Sequence, residues 1–172
     1  METAGRRLLK VEAFIVGKEE IYLKYTPYEM STIIERLNAL NTITAAKDYG
    51  TGEKMHTVEV HILSWIAENP GISVTDVALA WNRTKGAVSQ IIRKLEEKGM
   101  VERKNPPDNK KTVCLYVTEK GAELDRAHRE YDSRNYVAFL KMVEKYFEPE
   151  EIEKAFEFME IWTELSMQWE PS

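Results

Sequence analysis

What this 172-residue chain lacks already limits what it can do. It carries one cysteine, Cys114, so no disulfide can form within the chain and the composition fits a reducing compartment. A solitary thiol with no second cysteine to resolve a sulfenic acid reads as a small buried hydrophobe rather than a redox sensor. No apolar run approaches the ~20 residues that a membrane span requires. The N-terminus has no signal-peptide pattern, so a cytoplasmic protein without a membrane partner is expected. Enzyme readings have little to hold, because there is neither a glycine-rich phosphate loop nor a G-x-S-x-G; the chain is expected not to be an enzyme. No C-x-x-C or H-E-x-x-H accompanies His56, His61 and His128, and the first two are five residues apart, a poor same-face spacing. The histidines read as ordinary surface or interface residues, with no metal and no cofactor expected. Neither an internal repeat nor a low-complexity segment occurs.

What is present suits a soluble globular protein: 43% hydrophobic and 31% charged residues. A chain of this length buries roughly 70% of its unfolded surface, enough for a real core. The formal charge of −5 argues against a nucleic-acid partner until it is resolved by position. Residues 83–111 hold nine cations and four anions, so that segment is +5 and the remainder −10. Such asymmetry describes a localised phosphate-binding face on an acidic body.

The stretch 73–121 organises the chain. In its centre Val88, Ile91, Ile92 and Leu95 fall at i, i+3, i+4 and i+7 on one helical face. Lys85, Ser89, Gln90, Arg93 and Lys94 lie opposite. Thr84 is a good N-cap and Gly99 a left-handed C-terminal stop. Ahead of this helix Ser73, with Asp76 three residues on, opens a shorter one through Val77, Ala78 and Trp81. The link Asn82-Arg83 is short, and Asn82 tolerates positive φ. Two helices joined so tightly must cross steeply. After Gly99, residues 100–104 and 112–117 are β-prone and flank 105–111, which predicts a hairpin with a polar, basic tip.

On either side the pattern is helical. Residues 1–25 show apolar positions without a clean period and are expected to be mostly helical. Thr26-Pro27 starts a helix with Met30, Ile33, Ile34, Leu37 and Leu40 in a stripe to about residue 47. A break at 48–52 precedes a helix over 57–68. Thr118 caps a long helix over 119–147, and the last helix carries a one-sided apolar stripe of Ile152, Ala155, Phe156, Met159, Trp162, Ser166 and Trp169. A terminal helix so apolar needs a partner.

With Ser73-Val-Thr-Asp-Val-Ala78, Thr84-Lys-Gly-Ala-Val-Ser89, Leu95-Glu-Glu-Lys-Gly-Met-Val101 and Val117-Thr-Glu-Lys-Gly121 in this order, the run 55–121 resembles the multiple-antibiotic-resistance regulator (MarR) family. The resemblance implies a mostly α fold with a small β-hairpin wing, a winged helix-turn-helix flanked by N- and C-terminal dimerisation helices. It divides the chain into N-terminal helices at 1–52, a DNA-binding domain at 53–121 and C-terminal dimerisation helices at 122–172. It also implies a homodimer that binds a double-stranded DNA operator with the second helix in the major groove, and a small aromatic effector. The DNA-binding residues would be Thr84, Lys85, Gly86, Ser89, Gln90, Arg93, Lys94, Arg103, Lys104, Lys110 and Lys111, with Ser89, Gln90 and Arg93 at base edges and the lysines at phosphates. The effector would meet Tyr25, Tyr28, Tyr49, Trp65 and Trp81, although an aromatic cluster is more often simply core. The dimer interface would use Phe156, Met159, Trp162 and Trp169. One departure matters: the family wing commonly reads D-x-x-D-R-R, and here Asn105, Asp108, Asn109 and Lys110 leave out the inserted arginine. Lysine is a poorer narrow-groove probe. A transcriptional repressor is the expected function; a winged-helix adaptor for proteins, or a ligand or metal sensor with weak DNA contact, are the alternatives.

Overall fold

A computed structural model of the chain describes residues 12–16, 19–23, 25–42, 45–105 and 113–168. In order the elements are β1 (Glu12–Val16), β2 (Glu19–Leu23), α1 (Pro27–Thr42), β3 (Lys47–Asp48), β4 (Lys54–Met55), α2 (Thr57–Glu68), α3 (Val74–Ala80), α4 (Lys85–Glu97), β5 (Val101–Lys104), β6 (Cys114–Val117), α5 (Glu119–Val143) and α6 (Pro149–Gln168). No helix among the described residues is long and apolar enough to cross a membrane. Two compact units divide the chain, Met1–Ala45 and Ala46–Ser172.

The first unit corrects the expectation for residues 1–25. Instead of a helix, β1 and β2 pair antiparallel, with Glu12 opposite Leu23 and Val16 opposite Glu19. Phe14-Ile-Val16 and Ile21-Tyr-Leu23 are aromatic and β-branched runs, and only Gly17-Lys18 separates the strands in sequence. Such spacing favours a hairpin and breaks a helix. Next, α1 begins as expected with a reciprocal cap. The Thr26 N–H donates to Glu29 Oε2 at 3.0 Å, and the Glu29 N–H donates back to Thr26 Oγ1 at 3.2 Å. It runs to Thr42 rather than to about 47, and Lys47 and Asp48 pair instead with Met55 and Lys54.

In the second unit, Asp48 Oδ1 accepts from the backbone N–H groups of Gly50, Thr51 and Gly52 at 2.8, 3.1 and 3.0 Å. Residues 48–52 are therefore a closed loop between paired strands, not a bare break. The helix-turn-helix then forms as the residues dictate. Ser73 Oγ accepts from the Asp76 N–H, Asn82 turns the chain at φ 45°, and Thr84 Oγ1 accepts from the Ala87 N–H. On α4, Val88, Ile92 and Leu95 are wholly buried and pack with Val60, Leu63 and Ile66 of α2, Val77 of α3, and Met100 and Leu115 of the wing in one core. β5 and β6 pair antiparallel from Val101–Val117 to Lys104–Cys114, with Cys114 buried. Ile72 adds a brief third contact to the wing: its carbonyl accepts from the Leu115 N–H at 2.9 Å, while the Gly71 N–H donates to the Leu115 carbonyl at 2.9 Å.

The junction of wing and α5 is tight. Thr118 donates from its hydroxyl to the Gly99 carbonyl at 2.7 Å, from its N–H to the Met100 carbonyl at 3.0 Å, and accepts from the Gly121 N–H at 3.2 Å. These bonds press the first turn of α5 onto the Met100 peptide, so a Cβ on Gly121 would stand 2.2 Å from the Met100 oxygen and 2.7 Å from Val117 Cγ1. The Met100 oxygen cannot withdraw without losing its bond from the Thr118 N–H. Gly121→Ala should therefore destabilise the fold by about 2–3 kcal/mol. Urea unfolding of the two chains measures this, and a loss within error of zero would show that the junction gives way.

Candidate nucleic-acid interface

Burial of one side of α4 fixes what its other side shows. Lys85, Gly86, Gln90, Arg93 and Lys94 are exposed, with Ser89 half-exposed among them. Gly86 is informative, because an added Cβ there meets nothing within 4 Å. Packing does not demand the glycine, and glycine in a helix costs up to about 1 kcal/mol relative to alanine. Arg83, in the turn just before α4, is exposed as well. It is not among the residues that the resemblance assigns to DNA, although it stands beside the N-terminal end of α4.

The ion pairs revise the charge picture. Arg93 Nε meets Glu97 Oε1 at 2.9 Å, Arg103 Nε meets Glu96 Oε1 at 2.9 Å, and Lys104 pairs with Glu102 while its ammonium lies 5.7 Å above the Tyr116 ring. Glu53, on the loop before β4, holds both Lys98 at 3.2 Å and Lys120 at 2.9 Å, and the Lys120 hydrogen bond leads in keeping its carboxyl below the usual range. Most of the cationic face is thus already paired. Among the described residues, Arg83 and Lys85 form no ion pair. The exposed pairs are worth about 0–1 kcal/mol each and can be exchanged for phosphates.

Lys94 differs from the rest. Its ammonium meets Glu59 Oε1 at 3.0 Å, and the Glu59 side chain is only 7% exposed. The other carboxylate oxygen accepts from the His56 N–H at 3.1 Å at the start of α2. Burial alone would raise the Glu59 pKa, but the His56 N–H and the Lys94 ammonium outweigh it and leave the carboxyl lowered. Lys94 therefore ties α4 to α2 across 35 residues of sequence and is less free for DNA than its helical position suggests. Lys110 and Lys111 lie outside the described residues, as does Trp169.

The aromatic residues assigned to an effector divide between the units: Tyr25 and Tyr28, both exposed, in the first, and Tyr49, Trp65 and Trp81 in the second. Tyr49 is buried, with its ring edge-on to His128 at 4.8 Å and to Tyr131 at 5.2 Å. Trp65 and Trp81 are half-buried against the core, and the Trp65 indole N–H is buried without a hydrogen-bond partner. Sequence reasoning also missed that His61 of α2 and His128 of α5 come together, their ring centroids 4.9 Å apart, beside Asp132. The available signal was the i, i+4 spacing of His128 and Asp132 on a helix. Burial, the largest influence, lowers the pKa of His128.

A steeply turned helix pair whose second helix shows polar and cationic side chains outward, followed by a basic two-stranded hairpin, is the architecture of winged-helix DNA-binding regulators. Comparison with known proteins agrees. The MarR family model matches residues 56–113. The HTH-type transcriptional regulator YhjH of Bacillus subtilis (strain 168) is 32% identical over 126 residues, 73% of this chain and 69% of that one. In fold, the chain is similar to the transcriptional regulator SlyA, with a TM-score of 0.65 at 23% identity over 83% of this chain and 96% of that one. It is also similar to FabT of Streptococcus pneumoniae, solved in complex with DNA, with a TM-score of 0.57 at 20% identity over 81% and 94% of the two chains. The chain belongs to the MarR family, and it is a DNA-binding transcriptional regulator, not an enzyme.

The Glu59–Lys94 pair sets a pH dependence of known sign. Glu59 is held below its ordinary value of 4.5, so its ionised form stabilises the fold above that pH, and the contribution is lost as pH falls through the lower native value. Glu59→Gln should be less stable than the parent by about 1–3 kcal/mol near neutrality, and the gap should shrink in acid. Urea midpoints measured at ~pH 7 and ~pH 3.5 provide the test; a gap that stays constant would mean the carboxylate charge contributes nothing.

Proposed function

We propose that the chain acts as a homodimeric repressor, seating one copy of α4 from each protomer in successive major grooves of a pseudo-palindromic duplex, ~34 Å apart. The observation that carries this reading is the division of α4 into a wholly buried side of Val88, Ile92 and Leu95 and an outward side of Lys85, Ser89, Gln90 and Arg93. Ser89, Gln90 and Arg93 read base edges; Arg83, Lys85 and the Gly86 turn hold phosphates. Arg103 and Lys104, at the base of the wing, take the adjoining backbone once released from Glu96 and Glu102. A dimer seated in this way covers the operator and excludes other proteins from it, which is repression by occlusion. Release by a small aromatic effector has its best support in Trp65, whose buried indole N–H lacks an acceptor that such a ligand could bring.

The dimer is supported by what α5 and α6 leave exposed. Phe156, Met159 and Trp162 are 44%, 42% and 43% exposed, and an open groove lined by Tyr136, Leu140, Ile152, Phe156 and Met159 runs between the two helices. Apolar surface in this quantity is an interface in waiting.

For the DNA reading, genomic fragments selected by the purified protein supply the duplex. Arg93→Ala should weaken the selected site by roughly 5–150-fold while barely changing unrelated duplex, because a base contact is worth about 1–3 kcal/mol. Lys85→Ala should weaken both and reduce the salt slope by about 1. Equal, salt-insensitive binding by parent and variants would favour a protein-binding adaptor. For the dimer, Trp162→Glu should give a folded monomer by light scattering, and a well-folded dimer from that variant would place the interface elsewhere.

A further inference from the structure

We propose that His61, His128 and Asp132 form a binding site for a divalent transition-metal ion, best matched to zinc, that clips α2 to α5. His128 and Asp132 stand one turn apart on α5, so their side chains leave the same face of the helix. His61 meets them from α2. Asp132 Oδ2 lies 3.2 Å from His128 Nε2 and 3.8 Å from His61 Nε2. One donor atom from each of the three residues falls within 4.8 Å of the others. Ligand atoms around a four-coordinate zinc are ~3.3 Å apart, so closure asks only for a small rotation of His61, whose side chain is 42% exposed and able to make it.

The second observation is His128 itself. Its side chain is 5% exposed, and Nε2 is buried with no hydrogen bond in spite of the nearby carboxylate. A buried polar atom left in this way costs about 1–3 kcal/mol. An ordinary histidine–aspartate contact would satisfy it through a hydrogen bond; here the two groups converge without one, as ligands of a common centre do. The ring is also held in place, edge-on to Tyr49 on one side and at 4.9 Å from the His61 ring on the other. A fixed imidazole loses little freedom on binding. Asp132 is 51% exposed, so the ion has a route in and a water can complete its coordination. Two imidazoles and one carboxylate are a donor set for zinc, cobalt or nickel, whereas magnesium and calcium prefer oxygen alone.

The test uses the full-length protein stripped with a chelator, without DNA, so that its outcome is independent of the operator reading. Zinc is titrated in competition with a chromophoric chelator, and cobalt is added as a spectroscopic substitute. One zinc per chain is expected, with the visible absorption of four-coordinate cobalt and a melting temperature that rises with zinc. His61→Ala and Asp132→Asn alter half-exposed side chains and should keep the apo fold, checked by circular dichroism. Each should weaken zinc at least roughly tenfold and abolish the zinc-dependent rise in melting temperature. Absence of binding by the parent chain, or equal affinity in both variants, would overturn the site.

Discussion

The outward face of α4 depends on the insertion of that helix into the core along a single stripe. Val88, Ile92 and Leu95 have no exposure at all, and α2, α3 and the wing all pack against α4. With three neighbours on one side, the helix cannot roll without lifting an aliphatic side chain out of the core, at about 1.5–3 kcal/mol for each one exposed. The direction of Lys85, Gln90 and Arg93 is then a consequence of packing rather than of the polar residues themselves. The same logic extends to the wing. Thr118 and Gly121 fasten the start of α5 to the Met100 peptide, and Met100 is itself wholly buried beneath the hairpin.

Charge is arranged to a different end. The segment 83–111 is +5 in a chain of −5, yet Arg93, Lys94, Lys98, Arg103 and Lys104 each have a carboxylate partner within the chain. A duplex phosphate must therefore compete with an acid already in place. For the well-exposed Arg93–Glu97 pair that competition is easy, since solvent screens the pair and both chains are long. For Lys94 it is not, because Glu59 would be left buried and ionised. Such self-pairing lowers the attraction of these side chains to phosphate in general.

Legibility in the sequence followed the range of the interactions. Caps at Thr26, Ser73, Thr84 and Thr118, the positive φ of Asn82 and Gly99, and the buried stripe of α4 are local, and each stands where its residue type required. Residues 12–23 carry no helical period because they pair as strands, and the sequence signal for that is short: aromatic and β-branched neighbours on either side of Gly17-Lys18. The short β3–β4 pair was invisible for another reason: two residues a side carry no periodicity. Contacts such as Lys94–Glu59 and Lys98–Glu53 span 35 and 45 residues, and nothing in a single sequence pairs them. The His61–His128 approach is of the same kind, since it exists only because α2 and α5 pack.

The last helix shows where one chain ceases to be enough. Its apolar residues were expected on one side, but at 3.6 residues per turn they form two sets. Ile152, Phe156 and Met159 line the groove with α5, where the Phe156 ring meets Tyr136 at 5.8 Å. Phe158, Ile161, Trp162 and Leu165 point away from that groove, and all four are 43–61% exposed. No residue of α6 is buried. A helix apolar on two sides is stable in water only when both are covered, and α5 covers part of one. The remaining surface is continuous along several turns, a shape that suits another helix better than a compact ligand. In the proposed homodimer this surface meets its own copy, which a two-fold axis brings into register without any further partner.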